Sequence, residues 1–462
     1  MWLFSRISIV FLVAPLALVQ AQPVGKLLDL RAYGLNIPPG EVIASAGQNV
    51  QTTDEFGQKV IARVHVTVGD YHVVLLPDGQ LVGRPASETL ETDKPFQGAD
   101  KQQLGKLLEQ QMFSGFKVRK SGRYVYVYNT SDTFAQATTQ ILEKMAPGIL
   151  GFMKNLELEV HEPEVPLVVV MFRTEAEFQR YRETPAGIVA YYHTLTNRVV
   201  MYEESRFSEI KPELAIKQKI NTVAHEGVHQ LLHNIGVQTR TAQWPMWITE
   251  GIAEYLSPTS TGQYMRWKGA GTVNDFRMFE LEQFLKSTDM LTKSPGKWME
   301  NVITAYQLDS QGYASAWVLS HYLAKLRPMQ FKSYLHELQR LGPLDGSYRR
   351  SAEGRIPKHL ELFFQHFELQ SQEIESRIVP YINKLPYKDP FLDWPHVTVL
   401  IRFRGLRGVQ LLGNVFHNDQ VADQWLDRTL DQLQLSRDQV QIQKKVFPTR
   451  VLAERYVRAS VN

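Results

Sequence analysis

Hydrophobic positions change their period along this chain, and the changes divide it. Between residues 24 and 95 they come in short β-branched runs. Residues 60–66 and 71–76 read as strands, and Pro77-Asp78-Gly79 supplies a turn before Gln80-Leu81-Val82. Residues 88–100 are polar with Pro and Gly, and read as a linker. From about residue 103 strands and helices alternate. Residues 124–128 and 165–172 are strand runs, the second apolar throughout, as in a buried strand. Residues 133–156 have helical periodicity, and 174–181 read as a short helix. Residues 188–192 and 198–202 flank Thr196-Asn197 as a hairpin. From 211 to about 369 the pattern is helical, in at least five segments. After Pro386 and Pro390 strand signals return at 396–401 and 440–442, around an amphipathic helix at 419–433.

The predicted class is therefore α+β. The expected divisions are a leader at 1–21, a β-rich accessory module at 22–100, and a domain at 101–385. That domain would combine a small mixed sheet with a helical subdomain. A small α+β module would follow at 386–462. No internal repeat interrupts this order.

The leader rests on Arg6, the apolar run 7–19, and Val19-Gln20-Ala21, which fits cleavage after Ala21. The run is short of the roughly twenty residues that span a bilayer. An uncleaved N-terminal anchor is the alternative, and no later stretch is long and apolar enough to span. The expected location is secreted or periplasmic. With no cysteine, disulfides and a lipid-modified cysteine are excluded, which suits a bacterial exported protein. Thiolate metal sites and cysteine nucleophiles are excluded too, so any metal must rest on imidazole and carboxylate. The formal charge is +3, and removing Arg6 with the leader leaves +2. Short basic pairs such as Arg349-Arg350 and Lys444-Lys445 read as solvated surface, so no nucleic-acid partner is expected.

Chemistry concentrates in one helical stretch. His225-Glu226-Gly227-Val228-His229 is H-E-x-x-H, on a helix expected to begin near Pro212 and to end at Gly236. Histidines four apart share a helix face, so both imidazoles can converge on one cation. Glu226 is placed to reach a water on that cation without ligating it, the arrangement metal-assisted hydrolysis needs. Ile220, Val223, Leu231, Leu232 and Ile235 make the helix apolar around much of its circumference, so it should be buried. Two unpartnered histidines there would be strongly unfavourable, and ligation satisfies them. A third ligand is available across a gap of twenty residues, where Pro245 suits the start of a second helix carrying Glu250 and, one turn later, Glu254. Glu250 is read as the ligand and Glu254 as a carboxylate accepting a hydrogen bond from a ligand imidazole. The reverse assignment, and Glu254 as a plain surface carboxylate, stay open. His233 shares the face of His229 only roughly and is read as structural or exposed.

These residues resemble the gluzincins, the thermolysin and aminopeptidase N branch of the zinc metallopeptidases. The resemblance rests on residues 225–229 and on W-x-x-E-G-x-A-E-Y at 247–255. It implies a zincin-like catalytic domain with Zn²⁺ held by His225, His229 and Glu250, and Glu226 as general base. The segment from Tyr313 to Leu323 resembles the helix beginning Y-x-K-G in the aminopeptidases. By that resemblance Tyr313 would stabilise the oxyanion, although Ser315 and Ala316 replace the Lys and Gly. The G-x-M-E-N segment that binds a free amino terminus is missing, so exopeptidase action is not implied. The layout over about 120–330 is also similar to secreted bacterial proteins with a peptidase-like domain. The expected partner is a peptide or protein substrate, which the hairpin could take as an added strand. The other readings are a noncatalytic metal-stabilised binding or scaffold protein, and a zinc amidase acting on cell-wall peptide.

Overall fold

A computed structural model describes residues 30–185, 187–204, 212–260, 266–288, 290–345, 358–392, 394–405, 408–417 and 419–461. The expected leader lies outside them. The chain is mixed α plus β, 45% helix and 22% strand, which excludes an all-helical or all-strand class. It divides into two compact units, the larger ending at Pro386 and the smaller beginning at Tyr387.

The larger unit opens with a six-stranded antiparallel sheet. Its core is strand Lys59–Val68, flanked by Asn49–Thr53 and Tyr71–Leu75. Alternate residues from Ala62 to Val68 are buried, the signature of a sheet with one face on a core. Leu90–Glu91, inside the stretch expected to be linker, pairs with Asn49–Thr53 as a sheet edge. Helix Lys101–Gln111 follows, its first amide groups accepted by the Asp100 carboxylate.

A second sheet of five strands carries the functional elements. Its order is Ala190–His193, Arg198–Tyr202, Leu167–Phe172, Tyr124–Tyr128, Lys117–Ser121. The three inner strands run parallel and the two outer ones antiparallel to their neighbours. Helix Asp132–Asn155 makes the crossover between parallel strands Tyr124–Tyr128 and Leu167–Phe172, and is capped by Ser131. Leu167–Phe172 is buried at every position, which explains its unbroken apolar run.

The H-E-x-x-H motif lies on helix Pro212–Asn234, called here the motif helix. It packs on strands Ala190–His193 and Arg198–Tyr202 and against Asp132–Asn155. Ile220, Val223, Val228, Leu231 and Leu232 are essentially unexposed, each worth about 1.5–3 kcal/mol in removal from water. The buried Gln230 amide donates to Val168 O at 3.1 Å and Asn197 O at 2.7 Å, pinning the helix to the sheet. A second helix, Met246–Leu256, runs against Ser310–Leu326, with Asp275–Ser287 packed beside the latter. Among the described residues no helix is long and apolar enough to cross a membrane.

The smaller unit has a three-stranded antiparallel sheet with His396–Gly405 between Gly408–Phe416 and Gln441–Phe447. Helix Asp419–Leu433 covers one face through Ala422, Leu426 and Leu430.

Candidate metal centre

The motif helix and the second helix bring His225, His229 and Glu250 together. One ligand atom from each lies within 4.8 Å of the others, and all three residues are buried. His225 Nε2 is 3.1 Å from both His229 Nε2 and Glu250 Oε2, and His229 Nε2 is 3.3 Å from that same oxygen. Such a cluster can hold a metal ion. Its close approach depends on small residues in the helix interfaces. A Cβ at Gly227 would meet Leu142 Cδ2 at 2.3 Å, and one at Gly251 would meet Ser320 Oγ at 2.2 Å and Ala316 O at 2.5 Å.

The electrostatics favour a cation. Burial pushes Glu250 up, but His229 and His225 outweigh it and hold its carboxyl down to about 2. Burial pushes His225 down, yet Glu254, Glu250 and Glu226 lift it to about 10. The negative field that favours a proton on this imidazole is the field that would favour a divalent cation in its place.

Glu254 is buried rather than a surface carboxylate, being 1% exposed. Its Oε1 lies 3.1 Å from His225 Nδ1 and accepts Arg277 Nη2 at 2.6 Å. Oε2 accepts Asn274 Nδ2 at 2.8 Å. Burial opposes its charge, but Arg277 and then His225 hold it well below the usual carboxylate range. Asn274 also caps helix Asp275–Ser287, its Oδ1 accepting Arg277 N. Arg277 in turn donates to Glu280 at 2.7 Å, and Ser310 Oγ donates to the other oxygen of Glu280 at 2.8 Å.

Glu226 is buried close to both motif imidazoles and to Glu250. Its Oε2 accepts the backbone N–H of Tyr192 at 2.8 Å, while Oε1 is buried with no hydrogen-bond partner. Burial raises its pKa, and the nearby imidazoles oppose the rise. Tyr313, from helix Ser310–Leu326, reaches the same centre. Its ring is 6.1 Å from that of His225, edge to face, and the Arg277 guanidinium lies 5.3 Å from its centroid. Burial, then Glu250 and Glu226, push its phenol well above the ordinary value, so it remains a hydrogen-bond donor. His233 does not join the cluster. Its Nδ1 faces Gln238 O at 3.2 Å and its ring stacks on Tyr192.

Asn274, Arg277 and the Tyr192 amide were not legible from the sequence. The first two reach the centre from a helix with no fixed spacing to the motif, and the third is a backbone group.

Residues 219–345 match a family model described as a protein of unknown function, DUF1570. The matched span holds the whole His225–His229–Glu250 cluster together with Glu226, Glu254, Asn274, Arg277 and Tyr313. No curated protein matches the chain.

Proposed function

We propose that the chain is an exported zinc-dependent peptidase that hydrolyses peptide bonds with Glu226 as general base. The observation that carries this reading is the Glu226 carboxylate. It is buried beside the three convergent donors and anchored through one oxygen, and its other oxygen has no protein partner. A metal site serving structure alone has no use for such a group there.

The donor set fits zinc, since two imidazoles and a carboxylate leave room for a further ligand. When bound, Zn²⁺ would act as a Lewis acid that acidifies a water and polarises a carbonyl. The chain's own groups do the rest. Glu226 Oε1 takes the proton of the attacking water and returns it to the leaving nitrogen. The Tyr192 N–H fixes the carboxylate during that exchange. The Tyr313 phenol donates to the developing oxyanion. Glu254 places its negative charge beside His225 Nδ1, and Arg277 balances the charge of Glu254. Strand Ala190–His193 ends its sheet, so an extended peptide can add to it beside Glu226.

The test compares Glu226→Gln with the parent on a peptide library that includes cell-wall peptides, with zinc content measured for both. Equal zinc with cleavage reduced at least about 100-fold in the variant is the expected result. Cleavage confined to cell-wall peptides would make the protein an amidase. Stoichiometric zinc without cleavage by the parent would make it a metal-stabilised binding protein, and absence of bound metal would sink both.

A further inference from the structure

One buried cation takes no part in the chemistry above. Arg240 follows the motif helix, in the connection to the second helix, and is only 6% exposed. Its guanidinium bonds to backbone carbonyls from two separate elements. Nη1 donates to Gly79 O at 2.7 Å, in a turn of the N-terminal sheet, and to Thr194 O at 3.2 Å, in the hairpin turn beside the motif helix. The Tyr192 phenol adjoins it. Its own carbonyl faces His65 Nε2 at 2.9 Å, on the central strand of the N-terminal sheet. The Asp78 carboxylate adds an attractive charge, and the hydrogen bonds to these carbonyls offset the cost of burying the guanidinium.

What it fixes is a chain of contacts leading to the base. The hairpin turn is tied to the N-terminal sheet a second time, by Leu81 N donating to Leu195 O at 2.7 Å, and Leu195 is buried in the core of that sheet. On its other side the turn is tied to the motif helix. The Asn197 and Asn234 amides bond reciprocally at 2.7 and 2.8 Å, Gln230 donates to Asn197 O, and Tyr192 Oη donates to Asn197 Oδ1 at 2.9 Å. Tyr192 then donates its N–H to Glu226. We propose that Arg240 is a positioning residue through which the N-terminal sheet fixes strand Ala190–His193 and, by way of Tyr192, the Glu226 carboxylate. The N-terminal sheet would then be a permanent wall of the site rather than a segment removed to activate it. The catalytic consequence rests on the peptidase reading, whereas the mechanical one does not.

The test is hydrogen–deuterium exchange on the full chain, with zinc content measured, for the parent, Arg240→Met and Arg240→Lys. Met keeps most of the apolar stem and removes every donor, and Lys keeps the charge without the fork. Exchange over residues 190–202 should quicken about tenfold in Arg240→Met and less in Arg240→Lys. Strand Leu167–Phe172 and the zinc content should be unchanged. Where the parent cleaves peptide, kcat should fall about tenfold or more in Arg240→Met. Unchanged exchange over 190–202 in both variants would overturn the proposal. So would equal loosening of 190–202 and 167–172 in both, which would mean that Arg240 serves the fold alone. Should Arg240→Met fail to fold, the Lys variant decides by the same comparison. A parent that cleaves nothing would remove the peptidase reading and leave the exchange result intact.

Discussion

Glu254 Oε1 lies 3.1 Å from His225 Nδ1, while the other nitrogen of that ring faces Glu250 and His229. The carboxylate therefore lies in ion-pair contact with a candidate ligand imidazole without an aligned hydrogen bond to it, and Arg277 and Asn274 hold the carboxylate. Glu254→Gln should keep the fold, because Gln can still bond to some of these partners. It should weaken zinc binding about 10–100-fold, read by competition with a chromophoric chelator. Affinity equal to the parent's would show that Glu254 serves only to hold Arg277.

The three donors that could hold a cation come from two helices, so cation binding should couple to stability. Adding Zn²⁺ to chelator-treated protein should raise Tm, by an amount equivalent to about 4 kcal/mol at a thousandfold excess over Kd. His229→Ala removes one of the three donors and should abolish most of the rise. An equal rise in His229→Ala would place the cation elsewhere.

Gly251 and Gly227 should differ in what a methyl group costs. At Gly251 the new Cβ would meet a serine hydroxyl at 2.2 Å and, at 2.5 Å, a backbone oxygen that cannot retreat without moving helix Ser310–Leu326. At Gly227 the nearest atoms are the ends of the Leu142 and Met145 side chains, which can change rotamer. Gly251→Ala should therefore destabilise by about 1–3 kcal/mol in urea unfolding and Gly227→Ala by less. Because Gly251 follows Glu250, its substitution should also weaken zinc binding. The reverse order of the two costs would contradict the tight packing of the second helix.

The sequence made the motif readable because ligation on a helix obeys a fixed spacing. His225 and His229 fall one turn apart, and Glu250 and Glu254 repeat that spacing on the second helix. Arg277 obeys no such rule, since it is brought to Glu254 by the chain between the second helix and Asp275–Ser287. The fold was legible by the same logic. Buried strands such as Leu167–Phe172 announce themselves by unbroken apolar runs. Strand Lys117–Ser121 carries no such run because it is a sheet edge, where Lys and Arg are tolerated and guard against further pairing. In the smaller unit, Gly408–Phe416 lacks the signal for a related reason. It is an outer strand, largely exposed, with glycine in its interior.

Acid should loosen the larger unit through histidines that the fold keeps neutral. His321, on helix Ser310–Leu326, is 3% exposed. Its Nε2 faces Gly271 O at 3.2 Å, which can only accept, so Nε2 carries the proton and Nδ1 accepts from Tyr381 Oη at 2.6 Å. Burial, with the charge of Lys325 second, pushes its pKa down to about 4. An unfolded histidine titrates near 6.5. Between pH 6.5 and 4 the unfolded chain therefore binds a proton that the folded chain refuses, and stability falls as pH drops through that window. Above 6.5 both forms are neutral and this contribution is flat. His65 and His193, also pushed down to about 4 by burial, add to the same slope. Tm should accordingly drop between pH 7 and pH 5 in the parent. In His321→Gln it should start lower, because the Tyr381 contact is disturbed, and drop less over the same interval. Parallel slopes for the two proteins would show that His321 takes up its proton without unfolding.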